Sequence, residues 1–240
     1  MSDLLPLGTQ GPISALLERE WTEEERAAMK AEYELHMAKE RERMERERQQ
    51  AQQRQRTKMV HACGVPRKDV SRILAGAVER TEAMDWAHRF VAQLDNDNAR
   101  CMLVLSGAPG CGKTMAASWV LVEHIERWNR AEHGPRFVPV ARLTRWNRFD
   151  DDAMATLERA SALVVDDMGA EYMDDKGAFR SFVDGLMNAR YADGLATVLT
   201  TNLNGQTFAD RYGTRFADRL REAGRFVELR GTSMRGRQGA

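Results

Sequence analysis

The chain has little cysteine, no net charge and no long apolar run, and each absence removes a class of protein. Cys63, Cys101 and Cys111 are the three cysteines in 240 residues. No two of them stand at the CxxC spacing of zinc sites. The opening MSDLLPLGTQGPIS lacks the basic stretch and apolar segment of a secretory leader, and an odd cysteine count without one fits a reducing cytosol. The longest apolar run falls far short of the roughly 20 residues that span a bilayer. Lys plus Arg and Asp plus Glu number 36 each, for a formal net charge of zero. The field of the whole molecule therefore predicts no partner, and any nucleic-acid contact has to come from a local basic stripe. The expectation is a soluble cytoplasmic protein with no membrane partner.

Glycine and proline are also missing from one long stretch, residues 14 to about 58. With KERERMERER and QQAQQRQR inside it, this stretch is a helix by composition. Glu42 and Arg46 stand four apart with the acid first, which supports it. The apolar stripe is thin: Trp21, Ala28 and Leu35 at heptad spacing, with Tyr33, Met37 and Met44 alongside. Two uses fit, a solvated prop for the N-terminus or an arm that docks on a partner through Trp21, Tyr33, Leu35 and Met37. Charged residues are 30% of the chain, above the usual share of about 25%, as a long solvated helix requires. The organisation that follows is a disordered lead at 1–13, a charged helical arm at 14–63, a linker and helical lead into the core at 64–99, and a main domain at 100–240.

Hydrophobic residues make up 42% of the chain, enough for one sizeable core. Residues 67–94 carry Val70, Ile73, Leu74, Trp86, Phe90 and Leu94 on one helical face, and DNDN at 95–98 reads as a turn. Beyond residue 100, apolar runs alternate with amphipathic helices. Strands are expected at 102–106, 136–143 (weakened by Pro139), 162–167, 196–202 and 225–230. Helices are expected at 113–130, 176–192 and 206–222, the last broken near Gly213. This alternation means a parallel sheet covered by helices on both faces, an α/β fold. There is no internal repeat.

Residues 107–114, GAPGCGKT, match the phosphate-loop pattern G-x-x-x-x-G-K-[ST] in full, with a strand before and a helix after. Gly107, Gly110 and Gly112 let the backbone turn so that N–H groups of the loop, which also holds Ala108, Pro109 and Cys111, can face phosphate oxygens (Pro109, without an N–H, contributing shape alone). The following helix aims its positive end at the same place. Lys113 suits the β- and γ-phosphates of ATP, and Thr114 suits Mg²⁺. Cys111, inside the loop, is expected to block nucleotide binding when alkylated and to be protected by ATP.

Two carboxylates, Asp166 and Asp167, follow ALVV at the carboxyl end of a strand, where parallel sheets bind ligands. Asp166 suits Mg²⁺, and Asp167 suits polarising an attacking water. Strand alternation should point the two in different directions. Glu171 is a second carboxylate that could assist. Asn202, at the end of TVLTTN, is placed to orient the water; alternatively it starts a turn with Asn204 and Gly205. Arg215 and Arg219 share one helix face. Arginine suits a phosphoryl transition state because its planar fork stays charged, and a neighbouring subunit's site is the natural target. The competing role is surface pairing with Asp210, Asp218 or Glu222.

Taken together, GAPGCGKT, LVVDDMGAE, NARYADGLATVLTTNL, YGTRFADRL and FVELRGTSMR resemble the DnaC/IstB family of AAA+ ATPases over about residues 100–237. The resemblance implies a P-loop AAA+ sheet; the sequence departs from the family's pattern in its N-terminal helical extension and, since it ends soon after the fifth strand, is expected to have little or no C-terminal lid. It implies Lys113 and Thr114 on the triphosphate and Mg²⁺, Asp166 as the Walker B metal carboxylate and Asp167 as the catalytic one. Asn202 becomes the sensor-1 residue, and Arg219, or failing that Arg215, the finger reaching the next subunit's ATP. Arg235, in the closing S-x-R, becomes a γ-phosphate sensor. Asp167 is one methylene shorter than the glutamate of most AAA+ proteins, which points to slow hydrolysis.

The same resemblance implies a ring or spiral that holds single-stranded DNA. The lead reading is a loader that binds a replicative DNA helicase and uses ATP binding and hydrolysis as an assembly switch. The alternative is an IstB-like transposition helper that binds DNA and recruits a transposase. A nucleotide-gated binding module that rarely hydrolyses ATP is a third reading; a small-molecule kinase is disfavoured, since no acceptor site is evident. Arg142, Arg145, Trp146 and Arg148 form a basic, aromatic cluster suited to DNA, unless they are a solvated loop with Trp146 tucked inward.

Overall fold

The structure is a computed structural model that describes residues 22–94, 101–128, 133–144, 151–171 and 177–231. The chain divides into two units, with the division between Arg54 and Gln55.

Helix α1 (Glu23–Ala62) accounts for the described part of the first unit. Its start is a reciprocal capping box. Thr22 Oγ1 accepts from the Glu25 amide at 3.2 Å, and Glu25 Oε2 accepts from the Thr22 amide at 3.1 Å. Ion pairs at helical spacing follow, Arg43 with Glu40 at 2.9 Å and Arg46 with Glu42. The helix buries Val60 alone, while Met29, Tyr33, Leu35 and Met44 are each more than half exposed. It runs to Ala62 and stops before Gly64, where φ is 88°. The segment 1–13 and the first part of the expected arm, residues 14–21 with Trp21, lie outside the described residues.

The expected single helical face over 67–94 is two helices, α2 (Arg67–Leu74) and α3 (Glu82–Gln93). Gly76, at φ 65°, ends the first, and Thr81 starts the second by accepting from the Met84 amide at 3.2 Å. The DNDN turn lies outside the described residues.

Five strands then alternate with helices: β1 (Met102–Ser106), α4 (Lys113–Trp128), β2 (Arg136–Pro139), α5 (Val140–Leu143), α6 (Asp151–Glu158), β3 (Ala162–Met168), α7 (Ala178–Ala192), β4 (Ala196–Thr201), α8 (Gly205–Tyr212), α9 (Thr214–Ala223) and β5 (Gly224–Glu228). The second strand is half as long as expected. Pro139 has no amide to donate and sits at φ −63°, so it ends the strand and opens α5. The break near Gly213 is as expected, with φ 100° there. All strand pairs are parallel, in the order β2-β3-β4-β1-β5.

The strand period of two sorts the core into two layers. Leu103, Leu105, Val164 and Val198 face α2, α3 and α4. Met102, Val104, Leu163 and Leu199 face α7, α8 and α9. The chain is thus the expected α/β sheet covered on both faces. The carboxyl ends of β1, β3 and β4 are neighbours, and they carry the phosphate loop, the two aspartates and Asn202. Among the described residues no helix is long and apolar enough to cross a membrane.

Candidate functional site: a phosphate loop beside an acidic strand end

The loop after β1 turns through Gly110 at φ 88° and Gly112 at φ 94°, a region where a side chain is strained. A Cβ on Gly112 would also stand 3.2 Å from Thr81 Oγ1, so the N-terminus of α3 packs directly on the loop. Ala108 and Pro109 are exposed at its tip, and Cys111 is buried at 4% exposure. The Cys111 thiol is thus shielded in the loop expected to lose nucleotide binding on alkylation.

Lys113, the first residue of α4, is 7% exposed. Its Nζ donates to Gly107 O at 2.6 Å, Ala108 O at 3.0 Å and Asn202 Oδ1 at 3.0 Å. The three oxygen acceptors are neutral, and Cys111 Sγ lies at 3.7 Å as a further acceptor. A buried ammonium held by uncharged oxygens at a helix N-terminus is a standing positive charge, and an anion answers it.

The acidic end of β3 is irregular. Pairing with β4 shifts register between Val165 and Met168, and Asp167 has φ 64°, alone among the described non-glycine residues. The expected divergence of the two carboxylates is therefore real, but a bulge produces it rather than simple alternation. Asp166 Oδ1 accepts from Thr114 Oγ1 at 3.0 Å and from Thr200 Oγ1 at 2.7 Å. Asp167 is exposed, with Oδ1 3.4 Å from Asn202 Nδ2. Burial pushes the Asp166 carboxyl above the ordinary carboxylate range and the charge of Asp167 adds to this, while the two threonine bonds and Lys113 oppose it.

Two residues matter here that the sequence reading did not single out. Thr200 on β4 donates to Asp166 and accepts from the Asp167 amide at 2.9 Å, so one hydroxyl holds the Asp166 carboxylate and the backbone of Asp167. Thr201 accepts from the Leu203 amide and donates to Met168 O at 2.6 Å, tying the two strand ends together. The change from apolar to polar along TVLTTN was the available signal. Asn202 joins Lys113 to Asp167, which is more than starting a turn; Asn204 caps α8 by accepting from the Thr207 amide.

Glu171 does not assist at this site. Its side chain is buried, Oε2 accepts from the Gly169 amide, and Oε1 accepts from Tyr212 Oη at 2.7 Å and Arg211 Nε at 2.8 Å. It ties the segment after β3 to α8. The arginine helix divides its two candidates. Arg215 is exposed. Arg219 pairs with Asp184 of α7 at 2.6 Å, and not with Asp210, Asp218 or Glu222. Asp218 pairs with Arg221, and Asp210 accepts from Gln206. Arg235, Arg145, Trp146 and Arg148 lie outside the described residues; Arg142 is exposed on α5.

The donor set fits a nucleoside triphosphate and its Mg²⁺. Lys113 and the loop suit the β- and γ-phosphates, and the facing oxygens of Thr114 and Asp166 are hard ligands. Among the described residues no group of three or more His, Cys, Asp and Glu could hold a metal ion unaided, so a cation here would complete its shell with phosphate oxygens and water.

A family model described as IstB-like ATP binding protein matches residues 6–240. No curated protein matches the sequence. Among solved structures the chain is similar to the DnaC helicase loader, at 21% identity and TM-score 0.56, with 69% of this chain and 100% of that one covered. It is similar to DnaI at 22% identity and TM-score 0.54, over 68% of this chain and 94% of that one. A third likeness is a putative primosome component from Streptococcus pyogenes serotype M3, at 19% identity and TM-score 0.50, over 63% and 80%. At these identities the likenesses establish the fold.

Proposed function

This chain belongs to the IstB-like ATP-binding protein family, and from that premise we propose that it is an AAA+ ATPase whose ATP-dependent self-assembly loads a replicative DNA helicase onto single-stranded DNA. The observation that carries the nucleotide part is Lys113: a buried ammonium whose three oxygen acceptors are neutral, one of them Asn202 on the neighbouring strand end. The loader part is supported by the likeness of the fold to the DnaC helicase loader, all of which this chain covers.

The roles follow from the positions. Gly107, Ala108, Pro109, Gly110, Cys111, Gly112 and Lys113 bind the phosphates, with Arg235 as the γ-phosphate sensor. Thr114 and Asp166 hold Mg²⁺, which when bound neutralises phosphate charge and so favours attack at the γ-phosphorus. Asp167 is exposed at the edge of this cluster and takes the proton of an attacking water. Asn202, bonded to Lys113 on one side and close to Asp167 on the other, orients both. Arg219, with Arg215 as the second candidate, completes the site of the next subunit in a ring or spiral. α1 presents Tyr33 and Leu35 as the helicase contact, within the arm at 14–63, and 64–99 leads into the ATPase domain at 100–240. Asp167 being shorter than a glutamate, hydrolysis is slow and rises with DNA or partner.

A second reading is favoured by the family match itself: an IstB-like helper that binds DNA and recruits a transposase. Native mass spectrometry of the chain with the replicative helicase of its source, ATP and Mg²⁺ separates the two. The loader reading expects a complex that weakens when Tyr33 and Leu35 are both changed to Ala. Absence of the complex, with ATP-dependent assembly on DNA intact, would overturn it in favour of the helper.

A further inference from the structure

Arg219 occupies an unexpected position for a residue that must reach another molecule. Its side chain is 20% exposed and is drawn back onto α7, where Nη1 donates to Asp184 Oδ1 at 2.6 Å. Arg215, one turn earlier on the same helix, is exposed. We propose that Asp184 is a positioning residue for the shared site: it holds Arg219 stowed against α7 in the separate chain and releases it to the triphosphate of the adjoining subunit on assembly. This rests on the reading that Arg219 completes a neighbour's site.

Three features support an exchange rather than a permanent pin. The pair is only partly buried, Asp184 being 27% exposed, and partly solvated ion pairs hold weakly. A triphosphate carries more charge than one carboxylate and accepts an arginine fork through several oxygens, so it outcompetes Asp184 once it is near. Asp184 is also not left stranded. Arg180 stands four residues earlier on α7, the spacing at which helix side chains meet. Its guanidinium already lies at the α8–α9 junction, in the space a side chain on Gly213 would need. Arg180 can therefore take Asp184 when Arg219 leaves. Neither Asp184 nor Arg180 touches the phosphate loop; Asp184 acts through Arg219.

The test is mass photometry across protein concentration with a non-hydrolysable ATP analogue and Mg²⁺, on the wild type and on D184N, D184S, D184E, R219A and the double variant D184N/R219A. Freed of its counter-charge, Arg219 engages more readily, so D184N and D184S should assemble at a midpoint about threefold to fivefold below wild type. D184E keeps the charge and should stay at the wild-type midpoint. R219A should assemble only at higher concentration, and D184N/R219A should match R219A, because Asp184 has no effect without its arginine. A merely structural salt bridge would lower the unfolding temperature without lowering the assembly midpoint. If R219A shifts while D184N and D184S assemble no earlier than wild type, the role of Asp184 is overturned and the shared site stands. If R219A itself assembles like wild type, the assignment of Arg219 fails, and this proposal fails with it.

Discussion

The Asn202 side-chain carbonyl accepts a hydrogen bond from the Lys113 ammonium at 3.0 Å, across 89 residues of sequence. The bond is neutral on one side, so it holds the lysine without cancelling its charge. Changing Asn202 to Asp would place a carboxylate there and set up an internal ion pair that competes with phosphate. N202D should therefore weaken ATP binding by about tenfold or more, the scale of a charge-assisted hydrogen bond. N202A should bind ATP within a few-fold of wild type and lose most hydrolysis. Fluorescent-nucleotide titration beside phosphate release reads both; equal affinities for N202D and N202A would refute the charge argument.

Thr200 should matter as much as either aspartate. Thr200→Val keeps the shape and removes the hydroxyl that holds Asp166 at 2.7 Å and the Asp167 amide at 2.9 Å. The cost in stability is about 1–3 kcal/mol, and the Mg²⁺ requirement for ATP binding should rise severalfold. T200S should restore both. Isothermal titration with and without Mg²⁺ is the check, and an unchanged Mg²⁺ dependence in T200V would contradict it.

Arg190 is fully buried and its fork is satisfied by oxygens alone: Thr197 Oγ1 and the carbonyls of Leu157, Glu158, Ala160 and Ala196. Burial pulls its guanidinium down to about 10, with the charges of Cys101 and Asp193 opposing, so it stays charged at neutral pH. A lysine cannot reach that set of acceptors. R190K should cost about 3 kcal/mol or more, lowering the melting temperature by roughly 10 °C. Nucleotide affinity measured well below the transition should be unchanged, since the cage stands at the opposite ends of the strands from the phosphate loop. A melting temperature within about 2 °C of wild type would refute the structural role.

Acid should destabilise the fold through His124. Burial, with help from the charge of Arg190, moves this imidazole from an ordinary value of 6.5 to about 4. Between those values the unfolded chain takes a proton that the folded chain refuses, so stability is full above about pH 6.5 and is lost as pH falls toward 4. The loss approaches about 3 kcal/mol. Asp166 works in the opposite sense, because its folded pKa is raised: the folded state gains a proton first, which favours the fold in acid while weakening Mg²⁺ binding there. Denaturant melts of wild type and H124F from pH 4 to 7 should show a flatter profile in the variant. Parallel profiles would rule His124 out.

Active sites shared between subunits predict complementation. Lys113→Ala and Arg219→Ala should each be nearly inactive, the first for want of productive ATP binding and the second with ATP bound but not turned over. Mixed in equal amounts they should recover part of the wild-type rate, because some interfaces then join an intact Lys113 to an intact Arg219. A mixture that stays inactive at high protein concentration would count against the shared site.

The local features were legible because they rest on short-range rules. GAPGCGKT between a strand and a helix needed only backbone geometry and charge. The absence of glycine and proline over 14–58 needed only helix propensity; from Glu23 onward the helix and the pair Glu42–Arg46 bear it out, with its start set by the capping box at Thr22 and Glu25, while residues 14–21 lie outside the described residues. The failures have equally local causes. Pro139 stands inside an apolar run that patterns as one strand, yet it ends the strand and opens a helix. The long face over 67–94 hid the stop at Gly76 and the cap at Thr81.

Periodicity and patterns contiguous in the chain suffice for a parallel, doubly covered sheet with a phosphate loop at one strand end and two aspartates at another. What the side chains meet depends on the assembled sheet. The order β2-β3-β4-β1-β5 places β4 between the loop and the aspartates, and so makes Thr200 and Asn202 the bridge between them. It also turned Glu171 away to Tyr212 and Arg211, and gave Arg219 to Asp184. Those partners lie tens of residues apart, and a hydrogen bond has a reach of about 3 Å. No pattern along the chain encodes such a meeting; the folding of the strands into one sheet does.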